Sequence, residues 1–333
     1  MKKFTEIGQF RQAIREIKSH CDYQGKDDNG DAIYVHDKPY PILKFRGTIK
    51  LHGTNSAIAL YRDSDGNQAY RFQSRERELS LDFDNSGFLR EMLKKDYSKL
   101  FDGIQFNESC VIYGEWCGNN IQRGVAITGL PKMFVIFAVR IDDVYQEMNN
   151  FKHLMIPEQN IYNILQFKTY EINIDINQPE LVQNDIIDMT LEVENECPVG
   201  KYFGVIGVGE GIVFEHNSTL GRYVFKSKGI KHSSSKVKTI SAVDVEAIQN
   251  INEFVEYAVT ENRLAQGIDK MKEMGIALEM KSTGDYLRWV YNDVVKEESD
   301  TMNENGIDAK KVGSAISAKA KQYWLNYLNS QEL

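Results

Sequence analysis

The sequence has no apolar run that approaches the roughly 18–20 residues that a membrane-spanning helix requires. Its N-terminus carries two lysines, Lys2 and Lys3, but neither an apolar stretch nor a small-residue cleavage site follows them. We therefore expect a cytoplasmic protein that does not associate with membranes.

Cysteine is scarce, and its spacing argues against two common kinds of site. The four cysteines, Cys21, Cys110, Cys117 and Cys197, form no C-x-x-C pair and no regular framework. Zinc sites and disulfide scaffolds depend on such spacing. We therefore predict reduced, partly buried thiols. A P-loop is missing as well, because the glycine-rich residues 207–211 are not followed by Lys-Ser or Lys-Thr.

The formal net charge of −8 is unevenly distributed. Between Ile141 and Pro198 there are twelve acidic and two basic residues, a local charge of −10, which leaves +2 for the rest of the chain. Local basic clusters, and not the overall balance, set the affinity of a protein for phosphate. The composition therefore weakens a nucleic-acid function without excluding it.

Hydrophobic patterning predicts an α+β domain in the first two thirds of the chain. Helical spacing occurs at residues 4–21, 87–100 and 150–156. The predicted strands cover residues 42–49, 56–61, 69–73, 109–113, 133–139, 212–214 and 223–225. This irregular order favours antiparallel sheets over a regular alternation of parallel strands and helices.

The C-terminal third is predicted to form a second, helical domain. A polar, serine-rich stretch at residues 232–241 is typical of a linker. Helical periodicity follows at residues 243–273, 285–296 and 309–328, with Gly275 placed to end the first helix. We therefore expect two domains, residues 1–240 and 241–333.

The strongest signal for chemistry is the run KLHGTN, Lys50 to Asn55, directly after a predicted strand. A lysine followed three residues later by glycine places an amine at a strand end beside a tight turn. A nucleotide can approach such a turn closely, because glycine has no Cβ. Taken alone, the run is equally consistent with a surface lysine before an ordinary turn.

Other segments supply the groups that such an amine needs in order to react. Lys226 and Lys228 alternate along a predicted strand and therefore point to the same side. Glu115, Glu210 and Arg75 each adjoin a predicted strand. An amine, carboxylates and further cations together fit nucleotidyl transfer. In that reaction the amine attacks the α-phosphate of ATP, pyrophosphate leaves, and a divalent metal and cations stabilise the charge.

This ordered set resembles the covalent nucleotidyltransferase superfamily of DNA ligases, RNA ligases and mRNA-capping enzymes. The five signature boxes would be KLHGTN, FQSR, YGEW, GEGIVF and FKSK. The similarity is closest to the RNA ligase 2 type of tailed phages, whose relatives include the kinetoplastid RNA-editing ligases. It implies an antiparallel-sheet, ATP-grasp-like nucleotidyltransferase domain followed by a small all-helical domain.

The resemblance also implies roles for the residues at the phosphate end of a bound nucleotide. Lys50 would carry AMP as a lysyl-AMP phosphoramide, and His52 would act at the pyrophosphate during this step. Lys226 and Lys228 would bind the α-phosphate. Glu210 would help to position a hydrated Mg²⁺ or Mn²⁺ ion.

Four further residues would bind the rest of the nucleotide and the polynucleotide end. Asn55 and Arg75 would bind the AMP phosphate or the 5′-phosphate, and Glu115 would hold the ribose hydroxyls and contribute to the metal site. Phe137 would stack on adenine. The family commonly carries an aspartate after this aromatic residue, whereas this sequence has Ala138. That difference affects the metal geometry and not the lysine chemistry.

The function implied is ATP-dependent joining of 5′-phosphate and 3′-hydroxyl ends through lysyl-AMP and an adenylylated polynucleotide. The expected substrate is RNA, as nicked duplexes, free ends or RNA–DNA hybrids. We expect a monomer, in the host cytoplasm if the protein is phage-encoded. The helical domain would grip RNA through cations on its helix surfaces, namely Arg263, Lys270, Lys310, Lys311 and Lys319.

Three alternatives remain open. A capping-type guanylyltransferase or an ATP-dependent DNA ligase would be expected to carry a downstream OB-type β-barrel, where this sequence predicts helices. A non-catalytic nucleotide or nucleic-acid binding module would not need Lys50 as a nucleophile.

Overall fold

The structure, a computed structural model, describes residues 1–119, 121–232 and 251–331. The chain divides into two compact units, Met1–Gly229 and Ile230–Leu333. The domain boundary expected near residue 240 lies outside the described residues. Among the helices that the structure describes, none is both long and apolar enough to cross a membrane.

Antiparallel sheets dominate the first unit. Its strands are β1 (Tyr23–Lys26), β2 (Ala32–Tyr34), β3 (Ile42–Lys50), β4 (Thr54–Arg62), β5 (Gln68–Ser74), β6 (Ser109–Cys117), β7 (Met133–Ile141), β8 (Val144–Tyr145), β9 (Ile161–Asn163), β10 (Thr169–Asp175), β11 (Gly211–Ser218) and β12 (Gly221–Lys228). One sheet has the order β10-β3-β11-β12, and a larger one has the order β5-β4-β6-β7-β8 with β9 parallel to β7. Strands β1 and β2 form a separate ribbon.

The helices of this unit are short and lie between the strands. They are α1 (Phe10–Asp22), α2 (Phe88–Met92), α3 (Gln183–Asn195) and α4 (Pro198–Tyr202), with 3-10 helices at Tyr97–Phe101, Ala126–Gly129, Met148–Phe151, Pro157–Gln159, Ile164–Gln166 and Pro179–Val182. The expected α+β class with antiparallel sheets is confirmed.

One face of each sheet packs in an apolar core. On the larger sheet, Ile58, Trp116 and Phe134 belong to the main apolar core. The opposite face is built from small residues and a few aromatic rings, Ala57, Ala59, Ala138, Phe4 and Tyr113 among them. On the four-stranded sheet, Phe45, Ile212, Phe214 and Phe225 are fully buried. Their alternate neighbours along β3, β11 and β12 are partly exposed.

The structure corrects three of the predicted helices. Helix α1 begins at Phe10 and not at Phe4, because Gly8 forms a β-bridge with Phe225 and its carbonyl accepts a hydrogen bond from the Lys226 N–H at 3.0 Å. The segment 87–100 contains only α2 and a 3-10 helix, and the segment 150–156 only the end of one. Strand β10 and helix α3, in the acidic stretch, and helix α4, which follows it, were not predicted.

The described part of the second unit consists of helices. They are α5 (Ile251–Ala258), α6 (Glu261–Glu273), α7 (Thr283–Glu297), α8 (Ser299–Glu304) and α9 (Ala309–Gln331), with 3-10 helices at Ile230–His232 and Met280–Ser282. The single helix predicted over residues 243–273 is interrupted before α6, where the Thr260 hydroxyl accepts a hydrogen bond from the Arg263 N–H. Gly275, with φ of +71°, follows the end of α6 as predicted.

Arg263 is not a surface cation. Its side chain is fully buried, with Nε 2.9 Å from Asp293 and Nη2 2.9 Å from Glu298. The prediction that Arg263 contacts RNA is therefore wrong. A helical sequence pattern does not reveal that Asp293 of α7 and Glu298, which directly follows α7, both reach this guanidinium. Lys270 and Lys319 pair with Glu273 and Glu256. Lys310 and Lys311 are exposed.

Substitution of Arg263 tests the importance of this buried cluster. Arg263→Ala should lower the free energy of unfolding by about 3–5 kcal/mol, because Glu298 would stay buried without the guanidinium. Urea unfolding monitored by tryptophan fluorescence measures the change. Arg288→Ala is the matched control, since Arg288 is exposed and pairs with Asp285 on the surface of α7. Arg288→Ala should lower the free energy of unfolding by no more than about 1 kcal/mol. Equal losses in the two variants would contradict a structural role for Arg263.

Candidate active site

A cluster of charged side chains surrounds one buried carboxylate at the end of β3. Lys50 Nζ lies 2.8 Å from Glu210 Oε1, and Lys228 Nζ lies 3.1 Å from the same oxygen. His52 Nδ1 lies 3.4 Å from the other oxygen, Oε2. The Glu210 side chain is 3% exposed. Four of the predicted site residues therefore meet in space, although they come from three separate segments.

Gly211 makes this arrangement possible. It stands on the central strand β11, paired with Lys50 on one side and with Lys228 on the other. Its φ is +154°, and a Cβ here would lie 2.0 Å from the Ser227 carbonyl oxygen, so only glycine fits. No side chain separates the two lysines as a result, and Glu210, the preceding residue, reaches both.

The electrostatics of the cluster follow from burial and from these short distances. Burial by itself would raise the pKa of Glu210, but Lys50, Lys228 and His52 hold that pKa well below its usual range. Burial lowers the pKa of Lys228, and so do Lys50 and Lys226, whereas Glu210 opposes the change. Glu210 is therefore ionised at neutral pH. The lysines outnumber it, and this excess of positive charge suits a polyphosphate.

The larger sheet presents a second set of predicted residues at its end. Asn55 is paired with Glu115 across β4 and β6. Arg75 directly follows Ser74, the last residue of β5. A tight turn joins β3 to β4, and a Cβ on Gly53 would lie 2.4 Å from the Trp116 carbonyl oxygen. The glycine of the KLHGTN run thus allows the turn after Lys50 to approach the backbone of β6 closely.

Phe137 occupies a bulge in β7. Tyr113 is paired with Ala138 and Gly114 with Ile136, so that Phe137 is the extra residue between them. Its half-buried ring lines a small pocket together with Arg46 and Thr48 of the other sheet. Arg46 and Thr48 precede Lys50 by four and two residues, which corresponds to about 7 to 13 Å along the strand. The pocket and the lysine cluster therefore lie in one cleft between the sheets.

Residues 44–228 match a family model described as RNA ligase. This range is more than half of the chain and includes every residue predicted for the nucleotide site. The chain belongs to the RNA ligase family. No curated protein matches the sequence.

Solved structures of an RNA ligase from Naegleria gruberi are also similar. The complex with pyrophosphate is 17% identical with a TM-score of 0.43, and the match covers 69% of this chain and 56% of that one. Variants of that ligase with AMP and manganese and with ATP and manganese are both 16% identical, with TM-scores of 0.43. This member of the RNA ligase family thus spans little more than half the length of those chains.

Several residues of the cleft were missed by sequence reasoning. The alternation of Arg46, Thr48 and Lys50 along β3 could have identified the first two. Val213, paired with both Thr48 and Lys226, shares their side of the four-stranded sheet. Glu147, whose Oε1 accepts a hydrogen bond from Arg46 at 2.7 Å, has no local signal, because only the fold brings it to β3.

The side chains around Glu210 are compatible with a divalent metal ion that arrives together with the nucleotide. Among the described residues, no group of three or more histidine, cysteine, aspartate and glutamate side chains could hold a metal by itself. Glu210 Oε2 is buried and has His52 Nδ1 3.4 Å away. Mg²⁺ typically combines one or two carboxylates with substrate phosphates and several waters. Ala138, where the family commonly has aspartate, is 3% exposed and contributes no ligand.

The charge on Glu210 predicts a pH-dependent stability. Glu210→Gln should destabilise the protein at pH 7 by about 1–3 kcal/mol, because two close lysines lose their anionic partner. The folded-state pKa of Glu210 is depressed, so the carboxylate contributes its stability above the unfolded value of 4.5 and loses it as the pH falls through the folded pKa.

Thermal unfolding from about pH 7 down to pH 3 checks this prediction. The difference in stability between the wild type and Glu210→Gln should stay constant down to about pH 4.5 and become smaller below that pH. Glu171→Gln, which removes the exposed partner of Lys44 on the same sheet, is the control and should give a much smaller difference. A difference that widens towards acid would be opposite in sign to the expected effect.

Proposed function

We propose that this chain is an ATP-dependent RNA ligase that seals 5′-phosphate and 3′-hydroxyl ends, with Lys50 as the residue that carries AMP. The observation that supports this most directly is the position of Lys50 at the end of β3, 2.8 Å from the buried Glu210 and beside Lys228. Membership of the RNA ligase family supports the same reaction class.

In the first step, the unprotonated Lys50 amine attacks the α-phosphorus of ATP. A nitrogen–phosphorus bond forms, the bond from this phosphorus to the bridging oxygen breaks, and pyrophosphate leaves. A lysine ammonium paired with Glu210 has no electron pair to donate. Lys50 must therefore leave this pair and lose its proton before it reacts.

The surrounding side chains would hold the triphosphate during this step. Lys226 and Lys228 would bind the α-phosphate, and His52 would contact the departing pyrophosphate. Glu210 would hold Mg²⁺ or Mn²⁺ together with the ATP phosphates, and Glu115 is the second candidate ligand. When bound, the metal ion would neutralise charge on the phosphates.

The nucleoside part of ATP would lie in the cleft between the sheets. Phe137 would stack on adenine, since its ring already lines the pocket beside Thr48. Glu115, at the end of β6, would hold the ribose hydroxyls. The residues of β3 that line the Phe137 pocket precede Lys50, so the base would lie at one end of the cleft and the phosphates at the other.

Two further transfers would complete ligation. An oxygen of the polynucleotide 5′-phosphate attacks the AMP phosphorus, which releases Lys50 and gives an adenylylated end. The 3′-hydroxyl of the other end then attacks the 5′-phosphorus, and AMP leaves. Asn55 and Arg75, which adjoin the strand ends at the edge of the site, would hold the phosphate in these steps. Nicked RNA duplexes are the proposed substrate, with RNA ends and RNA–DNA hybrids as alternatives.

The proposal that Lys50 carries AMP is tested by locating the AMP adduct in the protein. Incubation with ATP and magnesium should add one AMP to Lys50, and both Lys50→Ala and Lys50→Arg should abolish the adduct, because a guanidinium stays protonated and cannot attack. Lys44→Ala is the matched control, since Lys44 is an exposed lysine on the same strand, and it should leave the adduct intact. Mass spectrometry that locates AMP on Lys226 or Lys228 would overturn the assignment.

The two units are expected to serve different steps of the reaction. The family match lies wholly within the first unit, so adenylylation should need only that unit. We propose that the helical unit holds the polynucleotide, through exposed lysines such as Lys310 and Lys311. A chain that ends near residue 240 should still take up AMP but fail to join a nicked duplex with RNA on the 3′-hydroxyl side. Full sealing by the shortened chain, at the rate of the intact protein, would exclude this role.

A further inference from the structure

Residues 2–8, which we call the strap, cross from the larger sheet to the four-stranded sheet. At one end, the Lys2 carbonyl accepts hydrogen bonds from Tyr113 Oη at 2.8 Å and from Gln73 Nε2 at 2.7 Å. At the other end, Gly8 is bridged to Phe225 and accepts the Lys226 N–H. The strap thus joins the sheet that carries Phe137 to the strand that carries Lys226 and Lys228.

Phe4, in the middle of the strap, packs against the ring of Phe137. The two ring centroids are 5.0 Å apart with an interplanar angle of 69°, an edge-to-face contact. Phe4 also contacts Tyr113 at 5.2 Å and Tyr145 at 5.7 Å, and it is only 6% exposed. Since Phe137 lies in a bulge, without a strand partner opposite it, Phe4 provides lateral support that the sheet itself does not.

The position of Phe4 is fixed from several sides. The Thr5 backbone N–H and hydroxyl both contact the Tyr145 hydroxyl, at 3.1 and 3.0 Å. The Arg222 guanidinium lies 4.0 Å from the Tyr145 ring centroid and 5.4 Å from that of Phe4, and it pairs with Glu215. Arg222 and Glu215 belong to the four-stranded sheet, so both sheets clamp this ring.

We propose that Phe4 is a positioning residue for the nucleotide. The strap holds the Phe137 ring at the orientation that stacks on the base, and so Phe4 acts on ATP affinity through Phe137 without contacting the reacting atoms. This inference rests on the proposed function, because it takes Phe137 as the surface that receives adenine.

Binding of ATP to full-length variants, measured by calorimetry, tests the inference. Phe4→Ala should weaken ATP binding about tenfold, since base–aromatic stacking is sensitive to ring orientation. Phe4→Tyr should restore most of the affinity, and Phe4→Leu, which keeps the core filled, should still lose it. The rate of AMP transfer at saturating ATP should stay within about twofold of the wild type, because only ground-state binding is lost.

Phe10→Ala is the matched control for loss of buried aromatic surface. Phe10 is also almost fully buried, and it packs on Phe225 with ring centroids 5.2 Å apart. The variant should lose stability but keep the affinity for ATP. The double variant of Phe4→Ala with Phe137→Ala should bind ATP no more weakly than Phe137→Ala alone, because coupled residues are not additive.

The possible outcomes are distinct. Unchanged ATP affinity in Phe4→Ala and Phe4→Leu, or additive losses in the double variant, would overturn the role of Phe4. If the wild type binds ATP but forms no lysyl-AMP, the ligase proposal fails while the binding comparison still decides the role of Phe4. If the wild type binds no ATP, both proposals fail.

Discussion

The ion cluster around Glu210 is the interaction on which the rest of the site depends. A buried carboxylate is costly unless opposite charges compensate it, and Lys50 and Lys228 supply that compensation within about 3 Å. Lys50 is on β3 and Lys228 on β12, the two strands that flank β11, so the cluster depends on the register of all three strands. The same contact that stabilises the end of the sheet also fixes the position of the proposed nucleophile, Lys50.

A cleft between two sheets needs one face of each that is neither fully apolar nor fully solvated. On the larger sheet, the alanines Ala57, Ala59 and Ala138 leave space, and Phe137 together with Phe4 of the strap fills part of it. The four-stranded sheet uses strict alternation, with phenylalanines turned into the core and Arg46, Thr48 and Lys50 turned outwards. Alanine at position 138 suits this surface, since an aspartate there would be buried in an apolar cluster.

Charge is distributed in the molecule in a way that the net value of −8 conceals. The acidic stretch between Ile141 and Pro198 folds largely into β10, α3 and the loops around them, whereas the cluster at Glu210 combines lysines from β3 and β12. In the helical unit, a cation is surrounded by carboxylates: Arg263 is buried between Asp293 and Glu298 and contributes nothing to a basic surface. Local partners, and not the total charge, decide where a phosphate can bind.

The sequence by itself predicted the strands of both sheets except β8, β9 and β10, the helical character of the C-terminal third and the residues of the lysine cluster. These follow from local information: hydrophobic alternation along β3, β11 and β12, and short runs such as KLHGTN and GEG. Tertiary structure alone decided that Glu147 reaches Arg46, that Arg263 is buried and that residues 4–8 belong to the strap and not to the first turns of α1. The physical reason is that each of these outcomes depends on a partner more than thirty residues away in the chain, which no local periodicity encodes. Phe4 shows this most clearly, since it was predicted to begin the first helix, whereas its ring packs against Phe137 and Tyr145.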